Sequence, residues 1–283
     1  MSPDALILSA GTVQAVPFLD RLAPARAAGF AGVSMFAADM ETLAGQGVDA
    51  AEVRMRVADA GLFIHEVEIV GNWLPGTPTK PNPGWLEALL QRTTAAHVIA
   101  IAGAVGARGI TVAELRGVAC PPDEAAQAFA ALCDRAADVG LHVALEFVPT
   151  GRIPDLATAW PIVEAAGRAN GGLLVDSWHM FRGTPDLGLL ASLPAWAIKS
   201  IQICDAPAEP EADLDHAMVH DRLLPGEGAL DLAGFIVALR ETGTSAPLGV
   251  EIFSDALAAL PMAEIAARCA AAARRMIGET IDG

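Results

Sequence analysis

The chain has 283 residues, 53% of them apolar and only 18% charged, which supports a sizeable core and excludes a disordered protein. With 34 acids against 18 bases the formal net charge is −16, so neither a nucleic-acid backbone nor an anionic membrane surface is an expected partner. Four scattered cysteines with no CxxC pair exclude a disulfide framework, and no apolar run approaches the ~20 residues that span a bilayer. The opening MSPDALILSAG has no basic segment, so a cytoplasmic protein without a signal peptide is expected.

In chain order, short β-rich runs alternate with longer helical ones. The pattern predicts a strand over 6–9, a helix over 13–28 ending at Gly29, a strand over 32–36, and a helix over 49–60 stopped by Gly61. A third strand over 62–70, LFIHEVEIV, runs into GNWLPGTPTKPNPG, whose prolines and glycines exclude regular structure. A helix over 85–106 and a strand over 108–113 follow. Pro-Pro-Asp-Glu then opens a helix over 122–139. Strands over 142–148 and 172–176 flank a helix over 155–168, and a short helix lies near 185–192. A strand over 198–204, a long loop over 205–228, a helix over 231–241, a strand over 248–253 and an alanine-rich helix over 255–276 complete the chain. Eight strand–helix units without a linker define one domain over 1–283, a (β/α)8 TIM barrel. The alternative is a doubly wound open sheet. It lacks support, because the turn after the first strand reads SAGTVQAV and contains no GxGxxG.

Four of the later strands end in an oxygen-bearing side chain: Glu146 in VALEF, Asp176 in LLVDSWH, Gln202 in SIQICD and Glu251 in LGVEIF. Strand side chains alternate between the barrel interior and the surrounding helices. The residue before each donor (Leu145, Val175, Ile201, Val250) is apolar, as a helix-facing position requires, and Ala144, Leu174, Ser200 and Gly249 lie one inward layer below. One phase thus aims all four donors at the end of the barrel where such enzymes build their sites. Three carboxylates gathered there repel one another unless a cation sits among them. Taken singly, each acid reads more simply as a helix cap or surface ion pair; four in phase point to one divalent ion. Hard oxygen donors suit Mn2+ or Mg2+, and Zn2+ or Co2+ are also compatible.

The segments EFVPTGRIPD around Glu146, VDSWH over 175–179, IQICDAP around Gln202, RLLPGEG over 222–228 and GVEIF around Glu251 resemble the sugar phosphate isomerase/epimerase family of xylose isomerase-like TIM barrels. The resemblance covers nearly the whole chain. It implies one divalent metal held by Glu146, Asp176, Gln202 and Glu251. In ketose 3-epimerases the third ligand is histidine; the glutamine at 202 looks like the dehydroshikimate dehydratase branch. The resemblance also implies that His179 contacts substrate oxygens and that Arg222 grips a substrate oxygen, carboxylate or phosphate with its planar fork. The bland readings are a hydrogen-bonded loop histidine, and an arginine paired with Asp221 or Glu227. Arg152 stands where ketose 3-epimerases carry a glutamate that binds a sugar hydroxyl. It would suit an anionic group, or pack on the surface beside Asp155.

Weaker candidates come from the residues alone. Glu66 and Glu68 share one face of the third strand, with Glu68 nearer the substrate end and Glu66 lower. Trp73 could cover a sugar face or pin its loop to the barrel. His216 and His220 lie in the long loop as lid or solvated surface, and His65, His97 and His142 are assigned to packing. The expected chemistry is isomerisation or epimerisation of a sugar, sugar phosphate or cyclitol-like polyhydroxy ketone, through a metal-stabilised enediolate with Glu146 and Glu251 as the acid/base pair. Expulsion of a β-hydroxyl instead would make the protein a dehydratase of the 3-dehydroshikimate or inosose type. An apurinic endonuclease would need more histidines than the six present, and a non-catalytic sugar-binding barrel is the remaining class. The family further implies a homodimer or homotetramer.

Overall fold

Eight short parallel strands close on one another in sequence order in a computed structural model that describes residues 6–77 and 85–279. They are β1 Leu6–Leu8, β2 Gly32–Phe36, β3 Phe63–Val70, β4 Gly109–Ala113, β5 His142–Glu146, β6 Gly171–Asp176, β7 Ile198–Ile203 and β8 Leu248–Val250. β8 returns to β1 with Ile7 opposite Gly249, which closes the sheet and rules out the open alternative. Parallel neighbours require long crossovers, and helices supply them on the outside. Helix-facing strand residues such as Ile110, Val143, Leu145, Val175, Ile201 and Val250 join the apolar helix faces in one continuous core. Each such side chain contributes about 1.5–3 kcal/mol by leaving water. Ile7, Ala113, Ala144 and Leu174 are buried apart from that core, inside the barrel.

The departures from the predicted elements have local causes. The helix predicted over 13–28 is a 3-10 turn, Ala10–Val13, followed by a helix Phe18–Ala27, because Pro17 cannot donate to a continuing helix. An unpredicted helix, Ala37–Gly45, follows β2; Asp39 stabilises it by accepting the Phe36 N–H at 2.9 Å and gripping Arg21 at 2.7 Å. The helix over 85–106 divides into Trp85–Arg92 and Ala95–Val105, the second capped by Thr94. Asp176 itself caps another unpredicted helix, Ser177–Arg182. The long loop after β7 contains the helix Leu214–His220, started by Asp213. Pro261 divides the last predicted helix into Asp255–Ala258 and Met262–Glu279. Part of the proline-rich segment after β3, residues 78–84, lies outside the described residues.

β3 is irregular. On the β2 side its register passes from Val33–Ile64 to Met35–Val67, so one extra residue is inserted near His65. On the β4 side it passes from Val67–Ile110 to Val70–Val112, another insertion. A bulge lets consecutive residues depart from strict alternation. His65 and Glu66 therefore both reach the barrel interior, where they meet Ser200 of β7. The expectation that His65 and His142 merely pack is corrected in this respect.

Candidate active site

The four strand-end donors are brought together by the stagger of the barrel. Glu146 stands opposite Leu174, Asp176 opposite Gln202, and Gln202 opposite Gly249, with Glu251 two residues further on. Each step is even, so the inward phase survives around four strands. All four side chains are buried: Glu146 is 7% exposed, Asp176 0%, Gln202 3% and Glu251 4%.

Their contacts divide the cluster into two halves. Glu146 Oε1 lies 3.3 Å from His179 Nε2, and Glu146, Asp176 and His179 each offer a donor atom within 4.8 Å of the others. On the other side Gln202 Nε2 donates to Glu251 Oε1 at 3.0 Å. Arg222 Nη1 joins the halves by donating to Asp176 Oδ2 at 3.1 Å and Glu251 Oε2 at 3.4 Å. Its guanidinium is held by the Met218 carbonyl at 2.8 Å and lies 5.2 Å and 5.1 Å from the ring centres of Trp178 and Phe253. The second oxygen of the Asp176 carboxylate, Oδ1, accepts the N–H groups of Trp178 and His179 at 2.6 and 3.1 Å. Capping the Ser177–Arg182 helix thus fixes both Asp176 and the position of His179.

Glu68 completes the cluster from β3. Burial, opposed in part by a hydrogen bond from Ser34 and reinforced by Glu66, Glu146 and Asp39, pushes its carboxyl up to about 8. Burial and the charges of Glu68, Glu146 and Asp176 push Glu251 well above the usual carboxylate range, against the pull of Arg222. Burial also works against the charge of Arg222, but Asp176, Cys204, Glu251 and Glu146 hold its guanidinium protonated. Four acids around one arginine leave an excess of negative charge that is costly in a buried space.

The donor set fits a divalent cation. Gln202 Oε1, Glu68 Oε1 and His179 Nδ1 are buried with no hydrogen-bond partner. Because Gln202 turns its amide N–H toward Glu251, its carbonyl oxygen is left as an unused acceptor, the atom that a hard ion takes.

Other candidates sit elsewhere. Trp73 donates to the Ala113 carbonyl at 3.1 Å and packs edge-on against Phe129, which pins its loop to the barrel. It also lines a cavity of about 610 Å3 between that loop and the outer helices, away from the carboxylates. Arg152 is exposed, with Nε donating to the Gly117 carbonyl at 3.4 Å and its own backbone N–H held by Glu114. The structure does not bring it to the carboxylate cluster. His216 and His220 stack on the exposed face of the Leu214–His220 helix, and His220 meets Asp255 at 3.0 Å.

Asp205 was not among the residues singled out by sequence. It is buried and accepts the backbone N–H groups of Ala206, Gly226 and Leu230 at 2.9, 2.9 and 3.0 Å. It thereby shapes the loop that delivers Arg222. Its signal in the sequence was the acid closing the apolar run IQICD.

Fold and site together define a (β/α)8 barrel with a buried acidic donor cluster at the C-terminal ends of its strands. A family model described as xylose isomerase-like TIM barrel matches residues 22–276, and the chain belongs to that family. Among curated relatives, a 3-dehydroshikimate dehydratase of Pseudomonas aeruginosa is 37% identical over 131 residues, 46% of this chain and 20% of that enzyme. An inosose isomerase of Bacillus velezensis is 34% identical over 130 residues, 45% of each chain. The matches thus span less than half the length of these curated relatives. The solved structure of the IolI protein with a bound zinc atom has a TM-score of 0.82 at 18% identity, covering 97% of this chain and 98% of that one. L-ribulose 3-epimerase gives 0.71 at 21% identity, covering 98% and 95%. At these identities the structural likenesses establish the fold. No helix among the described residues is long and apolar enough to cross a membrane.

Proposed function

We propose that this protein is a divalent-metal-dependent isomerase or epimerase of a sugar, sugar phosphate or cyclitol-like polyhydroxy ketone. The observation that carries the reading is the buried cluster in which Arg222 bridges Asp176 and Glu251, Gln202 donates to Glu251, and Gln202 Oε1 is left without a partner. These four residues would hold the ion, with Mn2+ or Mg2+ the best match to oxygen donors and the zinc of the similar IolI structure an alternative. When bound, the ion supplies Lewis acidity toward a substrate carbonyl oxygen.

The remaining work falls to side chains. Glu146 from β5 and Glu251 from beyond β8 reach the site from different sides, one to take a proton from the carbon next to the carbonyl and the other to return it. His179, 3.3 Å from Glu146, can hold a substrate hydroxyl and steady that carboxylate. Arg222, fixed by backbone and aromatic neighbours, presents a preorganised cation to a substrate oxygen or carboxylate. Glu68, whose Oε1 is buried without a partner, can meet a substrate hydroxyl. The Arg152 and Trp73 side chains have no part in these steps.

A second reading, dehydration of a 3-dehydroshikimate- or inosose-like substrate, is favoured by Gln202 in place of a histidine and by the relative from Pseudomonas aeruginosa. It uses the same proton abstraction, followed by loss of a β-hydroxyl. The test is incubation of metal-loaded protein in D2O with ketoses, inosose and dehydroshikimate. Deuterium beside the carbonyl of an epimer or isomer supports the first reading, and an unsaturated product supports the second. Absence of either with every substrate and metal counts against both.

A further inference from the structure

A second polar cluster lies inside the barrel below the carboxylates of the mouth. Glu66 stands opposite Gly109 and Gly109 opposite His142, so the three form a row across β3, β4 and β5. Gly109 provides the space between the two side chains: a Cβ there would come within 2.2 Å of His142 Nε2. Across that gap His142 Nε2 meets Glu66 Oε1 at 2.8 Å. The bulge in β3 turns His65 into the same space, with Nε2 at 3.2 Å from Ser200 Oγ and 3.7 Å from Glu66 Oε2. Ser200 reaches over from β7 and donates to Glu66 Oε2 at 2.9 Å. One donor atom from each of His65, Glu66 and His142 lies within 4.8 Å of the other two.

Glu66 is 1% exposed and, among the described residues, forms no ion pair with arginine or lysine. A buried carboxylate needs a counter-charge. The groups that face Glu66 are the imidazoles of His65 and His142 and the hydroxyl of Ser200, none of them a fixed positive charge. His65 Nδ1 is buried without a partner, so the hydrogen-bond network leaves part of that ring unused.

We propose that His65, Glu66 and His142 form a second divalent-cation site, within the lower barrel and separate from the carboxylate mouth. Two imidazoles and one carboxylate favour zinc-like ions over Mg2+. A tetrahedral ion with bonds of about 2.0–2.1 Å sets its ligand atoms about 3.3 Å apart. His142 Nε2 is 2.8 Å from Glu66 Oε1 and His65 Nε2 is 3.7 Å from Glu66 Oε2, so the three side chains would close around an ion by local adjustment. Ser200 Oγ is close enough to both Glu66 and His65 to serve as the fourth ligand or to hold a water that does. The His142 side chain is 19% exposed at the start of β5, which offers entry from the barrel end opposite the mouth. The Arg108 guanidinium, whose charge reaches His65, opposes the ion and limits its affinity.

The site is tested independently of the mouth by working in an Asp176→Asn, Glu251→Gln background. Chelator-stripped protein is titrated with Zn2+ or Co2+, and bound metal and melting temperature are measured. The expected result is one Zn2+ per chain in that background, a melting temperature that rises with Zn2+, and a tetrahedral Co2+ spectrum. Adding His142→Gln, which keeps a donor toward Glu66, should lower Zn2+ affinity at least tenfold and remove the thermal shift. Adding Gly109→Ala instead should do the same by displacing the ring while leaving all three ligands present. Far-UV circular dichroism identifies folded variants, and His142→Gln alone decides if Gly109→Ala unfolds the barrel. No bound ion in the background variant, or binding indifferent to His142→Gln, overturns the proposal.

Discussion

Gln202 donates its amide N–H to Glu251 Oε1 at 3.0 Å, and its own carbonyl oxygen is left buried without a partner. One contact therefore orients two residues of the mouth and aims an acceptor into it. Gln202→Leu should lower Mn2+ affinity at least about 10-fold, the lower limit for losing even an outer partner of a metal ligand. Gln202→His should retain binding. Isothermal titration of chelator-stripped protein is the measurement, and unchanged affinity in the leucine variant would remove Gln202 from the ligand set.

Glu146 ends β5 and Glu251 lies just past β8, so the two carboxyls approach the mouth from different elements. Glu146→Gln and Glu251→Gln should each reduce kcat by about 10^2 to 10^4. Both variants should melt within a few degrees of the parent, because the shape of the side chain is kept. Single-turnover kinetics with saturating metal separates loss of chemistry from loss of the ion.

Arg222 is 1% exposed and is the arginine that bridges Asp176 and Glu251. In chelator, Arg222→Met should lower unfolding free energy in urea by about 3–5 kcal/mol, since two buried carboxyls lose their cation. Added divalent ion should recover part of that loss by binding the same acids. Arg222→Lys should preserve more stability but raise KM, because an ammonium lacks the planar fork. Equal stability of the methionine variant and the parent would contradict the electrostatic account.

Glu68 gives a pH dependence whose sign follows from its raised carboxyl. Its ordinary value is 4.5 and its folded value about 8, so the folded chain binds a proton that the unfolded chain releases earlier. The stabilisation is complete below about pH 4.5 and is lost as pH rises toward 8. Metal-free protein should accordingly lose stability across that interval, and Glu68→Gln should flatten the decline and be more stable than the parent above pH 8. Melting curves in chelator from pH 5 to 9 would show it. Parallel curves for both proteins would refute it.

The inward phase of Glu146, Asp176, Gln202 and Glu251 was legible because a strand has a period of two and each donor follows an apolar helix-facing residue. Helix ends were harder to read. The split at Thr94 and the one-turn helix after Asp176 depend on caps, and a cap is a hydrogen bond rather than a hydrophobic pattern. β3 defeated period-two reasoning at the bulge, which sends adjacent His65 and Glu66 into one interior. Arg152 matched a motif by spacing, yet its turn carries the side chain to the surface.

What the amino-acid order determined by itself was the alternation of eight strands with helices and the side of the barrel on which each donor faces. Both follow from periodicity along one stretch of chain. Only the tertiary structure decided which atoms meet: Arg222 between Asp176 and Glu251, Gln202 turned toward Glu251, and His142 reaching Glu66 across Gly109. Those partners lie on different strands, and their spacing is set by barrel closure, register and burial. No local pattern in the chain encodes those distances.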